Sequence, residues 1–357
     1  MKQERLKSIE FLRGFFVLMV MVWHTRYLPW FSGDDDILKS DHAVEFFFLL
    51  SGLLMGMHTE KPMHGSLSRD CRHFIWHKIK SFYPMYLLAV VFDLLTRGLL
   101  GDHSVKCEEL GYYIWDLLLL REAGFRGSFM TSTAIGSSWY LMAMILAMAV
   151  LYPFLRANKD AFLHILAPLL VLSLYGWFSQ TKGMLYFTLA FEHGVSLGLL
   201  RAIAGVSLGC LCYQVCVYLR RLEWNRFRLI RIVATLAECL AIYTLVYFSV
   251  NYKAGQYDFF CILMGMLLLI AEFGGFGLLN DLLKETRTAW IGSFTLALYI
   301  SHFTWIYVLI DLEPAWSREI GVAVFFGAAV LTAIGLMWTL KGIRWLLKQA
   351  EMKRVYE

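Results

Sequence analysis

Glu10, Arg13 and His24 are ionisable side chains within the first long apolar stretch of the chain. On a helix that turns about 100° per residue, Arg13 and His24 are about 20° apart, so they share one face, separated by roughly 16 Å along the axis. Glu10, three residues before Arg13, reaches that face and can pair with it. The trio offers a fixed cation at one end of a helix face and a titratable base towards the other. Ionisable groups in a membrane span are costly and point to function. The plainer alternative is a snorkelling arginine and a histidine satisfied by a neighbouring helix. A second histidine, His302, lies about 13 residues into a later apolar stretch, roughly 20 Å, against about 15 residues, roughly 22 Å, for His24. Two imidazoles at one depth, on helices running the same way, point to a shared cavity.

Further candidates lie near the outer ends of other apolar stretches. Glu45 is in the second, Trp139 and Tyr140 open the fourth, and Arg201 opens the sixth. Each has an ordinary reading, as a boundary charge or as part of an aromatic belt. With the two histidines they outline a polar cavity opening outward. A separate surface, 60–80, gathers Lys61, Arg69, Arg72, Lys78 and Lys80 with His73 and His77. Cations on an inner loop set topology; the functional alternative is a phosphate-binding patch for an anionic cofactor.

The elements that must hold these residues follow from composition. Of 357 residues, 59% are hydrophobic, 16% aromatic and 17% charged. Soluble domains run at about 45–50% apolar and about 25% charged, so this is the composition of a polytopic membrane protein rather than a soluble, disordered or coiled-coil chain. Spanning elements must be helices, because lipid offers backbone groups no partners. With about 20 residues needed per crossing, the apolar runs predict about ten spans: 9–27, 43–59, 81–100, 138–155, 161–178, 200–217, 232–250, 257–276, 289–309 and 319–340. The apolar stretch 184–198 contains Glu192, His193 and two glycines, and reads as a re-entrant or surface segment. The longest outer loop, 101–137, carries Tyr112, Tyr113, Trp115 and Asp116 on a candidate interfacial helix.

Orientation follows from the cations. With the N-terminus inside, the inner segments hold 22 of the 33 Lys and Arg residues, which predicts an even number of spans and both termini cytoplasmic. The first span reads as a retained anchor, since Leu28-Pro29-Trp30-Phe31 is a poor cleavage site. Residues 1–345 are expected to form a single transmembrane domain, followed by a short basic cytoplasmic tail, 346–357. The net charge of +5 is too mild to imply a nucleic-acid partner. Four of the seven cysteines, Cys210, Cys212, Cys216 and Cys239, lie in apolar runs without CxxC spacing; they read as small apolar residues, and no metal site is expected.

The motifs together resemble the acyltransferase-3 family of integral-membrane O-acyltransferases. Ile9-Glu10-Phe11-Leu12-Arg13-Gly14 followed by His24 is similar to the family's acidic-x-x-Arg-Gly opening and its Arg-x10-His motif. Val44-Glu45-Phe46-Phe47-Phe48-Leu49-Leu50-Ser51-Gly52 resembles its acidic-Phe-Phe-x-x-Ser-Gly segment. Trp139-Tyr140-Leu141 looks like the start of its fourth helix, and Arg201, Gly205 and Leu208-Gly209 like its Arg…Leu-Gly helix. Gly292-Ser293-Phe294, Leu298-Tyr299-Ile300 and His302 resemble its Gly-x-Ser-aromatic…Leu-Tyr-x-x-His segment. Tyr83-Pro84-Met85-Tyr86 matches an aromatic-Pro-x-Tyr, but the preceding Arg-x-x-Arg positions hold Lys78 and Ser81. Met144 stands where some members carry a glutamate.

The resemblance implies transfer of an acyl group, most often acetyl, from cytoplasmic acyl-CoA to a hydroxyl of a cell-surface or lipid-linked glycan, in the inner (plasma) membrane. It implies catalytic roles for His24, Arg13, Glu10 and His302. Substrate contacts are expected from Glu45, Ser51, Trp139, Tyr140, Arg201, Ser293 and Tyr299. Donor contacts are expected from Arg13, Arg72, Lys78 and Lys80. His24 would either deprotonate the hydroxyl or accept the acyl group and relay it. The alternative is a transporter or flippase for a lipid-linked glycan, which would also show many helices and buried polar groups, but more often an internal repeat.

Overall fold

The computed structural model describes residues 7–31, 40, 42–100, 113–124, 136–183, 185, 190–252, 257–277, 279, 282–283 and 290–356. The fold is an all-α polytopic bundle. Ten long helices are present among the described residues: α1 Lys7–His24, α2 Ala43–His58, α3 Leu67–Leu100, α4 Trp139–Ala157, α5 Lys159–Thr181, α6 Leu197–Arg221, α7 Arg228–Asn251, α8 Asp258–Gly274, α9 Ile291–Leu312 and α10 Arg318–Tyr356. Eight are long and apolar enough to cross a membrane. The other two, α2 and α8, have 16 and 17 residues.

Helices α2 and α6 form the centre. Gly52 and Gly56 on α2 face α6, and Gly205 and Gly209 on α6 face α2, so each helix presents a pair of glycines four residues apart. A Cβ at Gly52 would run into the Val206 carbonyl, and one at Gly209 into the Leu49 carbonyl. This is the small-xxx-small contact by which backbones approach in a membrane, where dispersion replaces hydrophobic driving force. Phe46, Phe48, Leu49 and Leu53 of α2 are buried. By contrast α7 points Leu229, Ile232, Val233, Leu236, Leu240 and Tyr243 outward. Their three- and four-residue spacing makes one apolar stripe, a lipid-facing one in this setting.

Several boundaries differ from those read in the sequence. Helix α3 starts at Leu67 rather than 81, so most of the expected 60–80 loop is its first turns, about four of them. Those turns are polar, and a hydropathy window sees only the apolar half that follows. Helix α10 runs unbroken past residue 345 to Tyr356, so the basic tail is helical. In α5, Asn158 caps the first turn by accepting from the Ala161 amide at 3.0 Å. A π turn at Phe162–Leu166 then precedes Pro168; the wider turn accommodates a residue with no amide to donate.

Stretch 184–198 does not span. Its described part folds as a hairpin, Phe191–Glu192 paired antiparallel with Val195–Ser196, with Phe191 opposite Ser196. His193 and Gly194 both have positive φ, 49° and 82°, as a two-residue hairpin turn of this hand requires. Ser196 then caps α6 by accepting from the Leu199 amide at 3.1 Å. Its hydroxyl also donates to Glu122. Of the expected interfacial helix, 113–117 is helical, with Tyr113 and Asp116 buried and Ile114 and Leu118 exposed; Tyr112 lies outside the described residues, as does most of the loop around it and most of inner segment 277–288. The Tyr83 and Tyr86 hydroxyls donate to the Leu117 and Asp116 carbonyls at 3.0 and 3.2 Å, tying this segment to α3.

Candidate active site

Helices α1 and α9 pack side by side and bring His24 and His302 together. His24 Nδ1 lies 2.8 Å from His302 Nε2, with the rings 5.1 Å apart and 18° from parallel. The other nitrogen of His302, Nδ1, is 3.3 Å from the Leu298 carbonyl. A carbonyl only accepts, so His302 carries its proton on Nδ1 and presents a lone pair at Nε2. His24 must then donate from Nδ1. When both rings are neutral, His24 Nε2 is left as the lone-pair nitrogen. One histidine thus fixes the tautomer of the other, as the third member of a catalytic triad orients its base. Phe303 meets the His24 ring edge-on at 4.6 Å, and Tyr27 lies 6.0 Å away.

Arg13 and Glu10 occupy the other end of the α1 face. The guanidinium NH1 lies 3.3 and 3.2 Å from the two Glu10 oxygens. Glu10 is buried and abuts Gly292, where a Cβ would clash with its carboxylate; the start of α9 has to be bare there. Arg13 borders a cavity of about 350 Å³ whose polar inner walls include Lys78, Ser81 and Ser293. Further in, the walls are Phe47, Ser51, Tyr140, Met144 and Tyr299. The Ser51 hydroxyl is 3.0 Å and the Tyr140 hydroxyl 3.4 Å from the Met144 sulfur, which accepts from both. Tyr299 connects this cavity to the histidines. Its ring lies 6.0 Å from His302 and 5.7 Å from Tyr140, and its carbonyl accepts from Ser137 at 2.8 Å. Arg13 and Lys78 thus border the cavity, and the imidazole pair lies outside its walls, beyond Tyr299.

Beside the His24–His302 pair and Glu10, which do not border the cavity, the structure divides the other expected site residues into three groups. Arg13, Ser51, Lys78, Tyr140, Ser293 and Tyr299 border the one cavity. Glu45, Trp139 and Arg201 do not; among the described residues they form an ion-pair network. Arg201 Nε donates to Glu45 at 2.7 Å, the Tyr175 hydroxyl donates to the other Glu45 oxygen at 3.0 Å, and Arg201 also donates to the Leu185 carbonyl. The Arg201 guanidinium carbon lies 5.4 Å from the centre of the Trp139 ring, over its face. Glu45 and Arg201 are fully buried, and buried charges persist only when paired and hydrogen-bonded in this way. Nothing in the sequence paired Tyr175 with Glu45, since 130 residues separate them.

Arg72 and Lys80 are the third group, and neither is among the residues bordering that cavity. They sit with Trp76 on one face of α3, at four-residue spacing, with the Lys80 ammonium 5.1 Å over the Trp76 ring. Lys78 is about 200° round the helix from Lys80 and reaches the cavity. A continuous helix cannot send all three cations to one place, whereas a loop could. Ser81, which in the sequence marks only a departure from the family pattern, borders the cavity beside Lys78.

A family profile described as an acyltransferase domain matches residues 6–341. No characterised protein and no solved structure matches the chain. With nearly the whole bundle inside the matched range, this protein belongs to the acyltransferase-3 family of membrane acyltransferases.

Proposed function

We propose that the protein moves an acyl group, acetyl in the first instance, from acyl-CoA on the inner side of the plasma membrane to a hydroxyl of a cell-envelope glycan. The observation that carries the reading is the His24–His302 pair at 2.8 Å, one tyrosine away from a cavity whose inner mouth is cationic. CoA is polyanionic, which suits Arg13 and Lys78, and supplies a thioester as the acyl carrier. Beyond Ser81 the walls mix apolar side chains with the Ser51, Tyr140 and Tyr299 hydroxyls, which suits an uncharged pantetheine arm with its amide groups.

A sugar hydroxyl is a poor nucleophile, and a neutral imidazole is a suitable base for it. His24 Nε2 takes the hydroxyl proton as the oxygen attacks the thioester carbonyl. The carbon–sulfur bond breaks, and the protonated ring returns the proton to the departing thiolate, so ester and free thiol are formed in equal number. His302 holds His24 in the tautomer that makes Nε2 available. Glu10 holds Arg13 at the mouth. The test is release of free CoA by the purified protein from acetyl-CoA when given cell-envelope glycan, with the acetyl ester detected on the glycan by mass spectrometry. Glycan-dependent CoA release with ester formation is expected; glycan movement across vesicles without ester formation would refute the reading and favour a flippase.

A further inference from the structure

A second cleft, of about 400 Å³, opens beside the cavity and shares Leu54 and Lys78 with it. Its other polar walls are His58, Lys61, His64, His73 and His77. The imidazoles form a short column: His64 stacks on His73 at 4.2 Å and 23°, and His73 faces His77 at 6.4 Å and 29°. His73 and His77 are a turn apart on α3, whereas His64 comes from the α2–α3 connection and has to be held in place.

A buried carboxylate holds it. Asp70 Oδ1 accepts from the His64 amide at 2.8 Å and from its ring Nδ1 at 3.1 Å. Oδ2 accepts from Tyr152 at 2.9 Å and from Arg156 Nε at 3.0 Å. Arg156 also donates to the Thr59 and Lys61 carbonyls, at 2.6 and 2.7 Å, so the same clamp fixes the backbone that carries Lys61. Five hydrogen bonds and a buried Asp–Arg pair are thus spent on placing one exposed imidazole and one exposed ammonium. The clamp thereby holds both groups at the rim of the cleft.

We propose that this cleft seats the nucleotide end of the acyl donor, with the adenine continuing the imidazole column and the phosphates lying between Lys61 and Lys78. The inference rests on acyl-CoA being the donor. Nucleic-acid bases stack on His as on other aromatic side chains, and the strength of such stacking tolerates variation because every base has a π face. Phosphates are met by ammonium groups as point charges. Lys78, common to cleft and cavity, stands where the nucleotide gives way to the arm. Arg72 and Lys80, on another face of α3, take no part.

The test uses full-length protein in detergent, with adenosine 3′,5′-bisphosphate as the binding probe and acetyl-CoA or acetyl-pantetheine as donor. His73→Ala and Lys61→Ala are expected to weaken bisphosphate binding about tenfold, the order of one stacked base or one phosphate contact. They should raise KM for acetyl-CoA to match and leave kcat, and all turnover of acetyl-pantetheine, unchanged. Arg72→Ala is expected to change none of these. Equal bisphosphate affinity in wild type and His73→Ala, with acetyl-CoA still used, overturns the cleft as the nucleotide seat while leaving the donor reading intact. A wild-type protein that neither binds the bisphosphate nor uses acetyl-CoA overturns both.

Discussion

The imidazole pair makes a quantitative demand on mutants. A positioned general base contributes about 10²–10⁴-fold, so His24→Ala should lower kcat/KM by that factor, about 3–5 kcal/mol at 1.36 kcal/mol per tenfold. His302 acts through one 2.8 Å hydrogen bond to His24. Losing it removes about 1–2 kcal/mol, so His302→Ala should cost about 5–30-fold. If the two act independently, the losses multiply, and the double variant falls about tenfold below His24→Ala. If His302 works only by orienting His24, the double variant equals His24→Ala within about 0.5 kcal/mol, the usual error of additivity. Coupling of the second kind is expected. His302→Gln should keep activity within about threefold of wild type, because a Gln carbonyl oxygen can accept from His24 Nδ1 as His302 Nε2 does. The assay is glycan-dependent CoA release, with expression and thermal melting of every variant checked alongside. Multiplicative losses, or a dead His302→Gln that melts normally, would refute the tautomer argument.

Four further outcomes are expected. Arg13→Ala should raise KM for acetyl-CoA with little change in kcat, since its guanidinium stands at the mouth rather than at the reacting atoms; a pure kcat defect would contradict that placement. Ser81→Arg restores a cation at the cavity wall beside Lys78 and should lower KM for acetyl-CoA, so an unchanged or higher KM counts against the inner-mouth assignment. Gly209→Ala should lower the melting temperature in detergent, because overpacking typically costs about 1–3 kcal/mol and the added carbon meets the Leu49 carbonyl; wild-type melting would mean α2 and α6 do not cross so closely. Burial pushes the Glu122 carboxyl up to about 7, against the opposing pull of Ser196 and Arg121. Its folded value exceeds the unfolded one of about 4.3, so its contribution is complete below about pH 4.3 and is lost as pH rises through 7. Segment 121–124 should therefore be cut faster by protease at pH 8 than at pH 6, and Glu122→Gln should abolish the difference; equal rates in wild type would count against it.

The helix count and the pairing of α1 with α9 were legible because both rest on repeating geometry. Composition demanded spans, and the 100° turn with the 1.5 Å rise put Arg13 and His24 on one face and His302 at matching depth. Long-range partners were not legible. Glu45 and Arg201 each looked like a boundary charge, and only the fold brings Tyr175 and the Leu185 carbonyl to complete their network. The split between Lys78 and its neighbours Arg72 and Lys80 failed for a different reason. Hydropathy marks where a helix is apolar rather than where it begins, so the polar first turns of α3 read as loop, and a loop has no faces to divide charges between. The same blindness hid the histidine column, whose fixing residue Asp70 sits in those turns.

Helix α2, which supplies Phe47, Ser51 and Leu54 to the cavity wall, has 16 residues. At 1.5 Å each that is about 24 Å, short of the roughly 30 Å of a typical hydrocarbon core. It escapes a mismatch cost because neighbours, not lipid, surround it. The helices that do meet lipid, such as α7 with only 17% of its apolar window buried, are long enough to tilt when the bilayer thickens or thins. The bundle is therefore suspended like an instrument on gimbals. Its outer frame absorbs changes in membrane thickness, while Arg13 and His24, both carried on α1, keep the roughly 16 Å separation that the helix rise sets. A catalyst working across a membrane of varying composition would thus keep one fixed path for its acyl group, shorter than the membrane it crosses.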